Sequence, residues 1–154
     1  MLAWSGPALA QMKPASADQL GDAFGACLQA TQGEGEIDAA LTTSGWKTAE
    51  MSSDSKAIEN GPLTIFGKAG NRALIMTSSD DDADETCVVL ARLRSTERYL
   101  PSAEGISRAI GEPANVEDGT YFWTFDGRVA QLAPTGSREE PSLRFVVMKL
   151  KDQD

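Results

Sequence analysis

The chain has 154 residues, 41% of them hydrophobic and 24% charged, which suits one soluble folded core rather than a disordered segment. Its formal net charge of −9 lacks the positive footprint that phosphate binding needs, so neither nucleic acid nor an anionic lipid surface is an expected partner. Histidine is absent altogether, which removes the usual general base, the commonest zinc ligand and every histidine-containing triad.

The first residues, MLAWSGPALAQ, place Ala8-Leu9-Ala10 before Gln11 in the small-x-small pattern of a signal peptidase site, with the helix breaker Pro7 upstream. The match lacks a basic residue before Lys13, and its apolar stretch is short. Residues 1–10 are therefore read as a residual signal-like segment and 11–154 as one domain, exported to the periplasm or the exterior. Export gives the two cysteines a purpose. A Cys27–Cys87 bridge would close a loop of about 60 residues and stabilise by about 4 kcal/mol on the chain-entropy argument. In a reducing compartment both would instead be small buried hydrophobes.

Ser16-Ala17-Asp18-Gln19 is a capping box, and Leu20, Phe24, Cys27 and Leu28 follow on one helical face. A second short helix is expected from about Glu34 to Ser44. Gly45 sits at its left-handed C′ position, and Trp46 can close over Leu41 in a Schellman ending. Residues 47–60 show little periodicity and read as a long loop. Strand-like runs follow at Leu63–Gly67, Arg72–Ser78 and Glu85–Leu93, the last apolar on both faces and so the most buried of this half.

The second half repeats the order. A helix over Leu100–Ile110 ends at Gly111 before Pro113. Tyr121–Phe125 and Arg128–Ala133 flank Asp126-Gly127, a two-residue hairpin signal, and a last strand spans Leu143–Leu150. Counting outwards from the turn pairs Trp123 with Ala130 and Tyr121 with Leu132 on one face. Phe122 with Gln131 and Thr124 with Val129 occupy the other. The expected fold is α+β: a mainly antiparallel sheet of about six strands, helices on one face, order α-α-βββ-α-βββ, suggesting a structural duplication.

Chemistry concentrates in TSSDDDADETC, residues 77–87. Asp80, Asp82 and Asp84 have the spacing that opens a calcium loop, but the sixth and twelfth positions hold Glu85 and Ala91 instead of Gly and Glu. An EF-hand is thereby excluded. These three aspartates remain a weak calcium candidate beside the simpler reading, a hydrated turn whose charge resists edge pairing. The carboxylates Glu104, Glu112 and Asp126 cannot be paired into an acid and a base from sequence. Ser53-Asp54-Ser55-Lys56 has the two fixed residues of a serine-lysine nucleophile motif, but in a loop and without its companions. Gly67-Lys68 lacks the hydroxyl residue and upstream spacing of a phosphate loop.

Arg92 and Arg94 share a face if extended, and with Arg98 form the basic cluster of the chain, either an anion site or partners for surplus surface acid. Phe122, with Val146, Met148 and Leu150, marks an apolar sheet face that either binds a partner or lies under a covering segment. The functional expectation is an exported, non-enzymatic binding module for a protein or small ligand, without a cofactor. An inhibitor or immunity-type protein is the alternative, and a histidine-free carboxylate hydrolase is a more distant one.

Overall fold

The computed structural model describes residues 13–33, 35–48, 63–78 and 85–150. Helix α1 (Ala17–Ala30) starts where the sequence places its cap: the Gln19 amide donates to Ser16 Oγ, and the Ser16 amide donates to Gln19 Oε1. The Gln19 side-chain amide also donates to Gly70 O at 2.8 Å, fixing the helix start against the β2–β3 turn. Leu20, Ala23, Phe24, Ala26, Cys27 and Ala30 form its buried face. Helix α2 (Ile37–Thr43) ends in the expected Schellman geometry. Trp46 N donates to Leu41 O, Gly45 N donates to Thr42 O, and Gly45 takes φ 99°. Trp46 and Leu41 are both fully buried, so this closure anchors the short helix. Helix α3 (Tyr99–Ile110) follows a 3-10 turn at Thr96–Arg98 and stops at Gly111, φ 106°.

The strands are β1 (Lys47–Thr48), β2 (Leu63–Lys68), β3 (Asn71–Ser78), β4 (Glu85–Arg92), β5 (Asn115–Glu117), β6 (Thr120–Phe125), β7 (Arg128–Gly136) and β8 (Pro141–Lys149). They form one antiparallel sheet in the order β1-β2-β3-β4-β8-β7-β6-β5. This corrects the expected six strands and the order α-α-βββ-α-βββ: the sheet has eight, and among the described residues the order is α-α-ββββ-α-ββββ.

The two additional strands lie at the outer edges, and both are solvent-exposed along their length. β1 has two residues, pairing with Phe66 and Gly67 as the chain leaves Trp46. β5 is closed onto β6 by Asp118-Gly119, both at positive φ. Short exposed edge strands carry no apolar alternation, so periodicity does not reveal them. Read outwards from the central β4–β8 pair, the sheet runs 4-3-2-1 on one side and 8-7-6-5 on the other.

One face of the sheet holds the core. Cys87, Val89 and Ala91 of β4 lie with Leu143, Phe145 and Val147 of β8, all fully buried. Phe145 meets Phe24 edge-on at 5.0 Å between ring centroids and Trp123 at 6.4 Å. The Cys27–Cys87 disulfide is present, with Cα atoms 5.6 Å apart, and joins α1 to the centre of the sheet. The 126–127 hairpin has the counted register, with Asp126 and Gly127 both at positive φ as a primed turn requires. Trp123 therefore faces the helices, where its indole N–H donates to Ser107 Oγ at 3.3 Å.

Candidate functional site

Every described helix sits on the same side of the sheet. α1 reaches Cys87 and Phe145, α2 receives the Thr77 hydroxyl at Asp38 Oδ1 (2.7 Å), and α3 receives Trp123. The strand alternation turns another set of side chains to the opposite face. Register alone aligns Ile65, Met76, Val88, Val146, Gln131 and Phe122 in one cross-strand row from β2 to β6. Leu74 and Leu90 pair alongside it, and so do Val129 and Met148. All these side chains are half-buried, and among the described residues no helix or strand packs over them.

Phe122, Val129, Gln131, Val146 and Met148 surround a shallow hollow of about 160 Å³. The expected grouping of Phe122 with Val146 and Met148 is thus the geometry observed. One end of this face is basic: Arg72 lies two residues before Leu74, Arg92 two after Leu90, and Arg144 pairs with Leu90 itself.

Arg94 goes elsewhere. β4 ends at Arg92, and Arg94 lines a groove between α1 and α3 on the helical side, together with Arg98 and Arg108. The groove measures about 580 Å³ and is floored by the apolar side chains of Leu20, Phe24, Leu28 and Ile106. It is open because its walls are small: Ala17, Gly21 and Gly25 recur at four-residue spacing on α1, as do Pro101, Gly105 and Ala109 on α3. The helices run in the same direction. Ala15 N donates to Arg92 O at the start of α1, close to where α3 begins, while Arg128 binds the carbonyl of Leu28 near the α1 end.

A second hollow of about 730 Å³ continues past Gly21, Gly25 and Ala109 towards Trp46 and Arg128. Trp46 Nε1 is a buried donor without a hydrogen-bond partner among the described residues. Periodicity misses the groove because glycine and alanine add no hydrophobic signal. The sign of it in the sequence was the two small-residue rows, the one on α3 flanked by Arg98 and Arg108.

Among the described residues two titratable groups are displaced, both for structural reasons. Burial pushes the Tyr99 hydroxyl well above the ordinary tyrosine value, and the nearby Tyr121 adds to the shift. Its oxygen lies 2.5 Å from Gly119 O and 2.9 Å from Leu132 O, binding α3 to both β-hairpin segments. Burial lowers the Arg128 guanidinium, an effect partly offset by Asp126. Arg128 donates to Leu28 O at 2.8 Å and Thr31 Oγ1 at 3.0 Å and covers the Phe125 ring at 4.4 Å.

The calcium candidates Asp80, Asp82 and Asp84 lie outside the described residues. Among the described residues no three His, Cys, Asp or Glu side chains cluster as metal ligands. Glu104, Glu112 and Asp126 are all exposed, on α3, just after it and in the β6–β7 turn. No described helix is long and apolar enough to cross a membrane.

Fold and surfaces together define a disulfide-linked α+β fold with one helix-covered sheet face and one face that no described element covers. Comparison with family models, with curated proteins and with solved structures finds no match, so the functional reading rests on these surfaces.

Proposed function

We propose that the protein is an exported, non-enzymatic binding module whose partner is another protein, docked on the open face of the sheet. The observation that carries this reading is the cross-strand row from Ile65 to Phe122, an apolar surface several strands wide and uncovered by any described element. Flat apolar faces of that extent are the usual form of a protein-docking surface. The basic end formed by Arg72, Arg92 and Arg144 suits a partner whose apolar patch is bordered by carboxylates. The disulfide supports an oxidising compartment.

The test is the double variant Met76→Glu, Val146→Glu, which puts charge on either side of Val88 without touching the core. Size-exclusion chromatography of the protein in its native extract should show a complex larger than the isolated chain. The variant should elute as the isolated chain with its circular dichroism unchanged. A wild-type protein that elutes alone, or a variant that keeps the complex, would refute the reading.

A further inference from the structure

We infer that the groove between α1 and α3 is a second site, on the side opposite the docking face, and that it takes a single-chain amphiphile with an anionic head, a long-chain carboxylate. Three independent features converge on that ligand. The first is shape: Leu20, Phe24, Leu28 and Ile106 make an apolar floor, and from Ala17 to Leu28 the trough runs about 16 Å at the helical rise. Its volume of about 580 Å³ lies within the range of small-molecule sites.

The second is the walls. A Cβ built at Gly21 or Gly25 would meet nothing within 4 Å, so the trough is unfilled space along the helix backbone. The third is charge. In a chain of net charge −9, Arg94, Arg98 and Arg108 line this groove, exposed and without an ion-pair partner among the described residues.

Arg94 and Arg98 stand at the end where both helices begin, which gives the ligand a direction. The carboxylate lies against these two guanidiniums, and the aliphatic chain follows the trough towards Leu28. Surface arginines in an acidic protein ordinarily pair with its surplus carboxylates. Among the described residues these three have no such partner, and that separates this groove from an ordinary seam between helices.

The experiment is a titration of the isotopically labelled full chain with sodium dodecanoate below its micelle concentration, followed by amide shifts and calorimetry. Sodium acetate and dodecyltrimethylammonium serve as head-only and opposite-head controls. Saturable binding with shifts centred on Gly21, Gly25 and Gly105 is expected for dodecanoate alone. Arg94→Gln with Arg98→Gln should weaken it at least tenfold. Gly25→Leu should abolish it while the protein stays folded, because the new side chain enters open space. The Met76→Glu, Val146→Glu variant should bind dodecanoate as the wild type does, which separates the two sites. Unsaturable binding, shifts on the open sheet face, equal affinity in the arginine variant, or an equal response to the cationic amphiphile would each overturn the assignment.

Discussion

Cys27 and Cys87 are 60 residues apart in the chain and have Cα atoms 5.6 Å apart in the fold, joining the first helix to the strand beside the centre of the sheet. Both are completely buried. The bond therefore removes freedom from an unfolded chain whose loop includes α2, β1, β2 and β3. Replacing both residues by Ala should lower the unfolding free energy by about 4 kcal/mol on the chain-entropy argument. Urea denaturation with and without reductant measures it. A protein equally stable when reduced would show that packing around α1 dominates.

Arg128 is a second fixture at the same, C-terminal end of α1. Its guanidinium satisfies the Leu28 carbonyl and the Thr31 hydroxyl at the helix C-terminus while lying over Phe125. Arg128→Met keeps much of the apolar stem but deletes both hydrogen bonds, one to a buried hydroxyl. A loss of about 2 kcal/mol is expected from charged hydrogen bonds of this kind. Amide exchange should localise the loss to the last turn of α1.

Tyr99 makes stability depend on pH in the alkaline range. Its folded pKa lies above the unfolded value of about 10, so the folded protein holds the phenolic proton more tightly. The resulting stability is fully present below pH 10 and falls as pH rises from there towards the folded value. In Tyr99→Phe that component of the alkaline decline should vanish, leaving a flatter profile by thermal melts at stepped pH. The variant should also lose about 1 kcal/mol at neutral pH through the hydrogen bonding to Gly119 and Leu132.

Gly136 and Gly25 predict opposite outcomes for the same substitution. Gly136 has φ 80°, and a Cβ there would overlap Glu140 O in the β7–β8 turn. Gly136→Ala should cost about 2 kcal/mol or more, since both strain and a backbone clash must be relieved. Gly25 lies in an exposed helical position with open space around it, and Gly25→Ala should stabilise by up to about 1 kcal/mol. Denaturation midpoints of the two variants should move in opposite directions.

What local rules control was legible in the chain itself. The capping box at Ser16, the Schellman ending at Gly45-Trp46 and the Asp126-Gly127 hairpin register each depend on a few neighbouring residues, and all are present. β5 was within reach of the same reasoning, since Asp118-Gly119 is a second hairpin dipeptide. It lacked the alternating apolar flank that made Asp126-Gly127 convincing. β1 offered no such mark. Its two residues pair because Trp46 is locked and the chain passes beside β2.

The sequence by itself determined the three described helices, the six inner strands and which face of the Asp126-Gly127 hairpin turns to the core, and with export it led to the Cys27–Cys87 pairing, because these follow from hydrophobic period, turn dihedrals and the presence of two cysteines. Only the tertiary structure decided what lies open. Strand order sets β4 against β8 and brings Ile65 into line with Phe122 across six strands. Docking of α1 beside α3 places Arg94 with Arg98 and Arg108 around a trough, while Arg92, two residues before Arg94, goes to the other side of the sheet. Such surfaces are assembled from residues far apart in the chain. Their signal is the absence of a covering side chain, which no local pattern in a sequence can display.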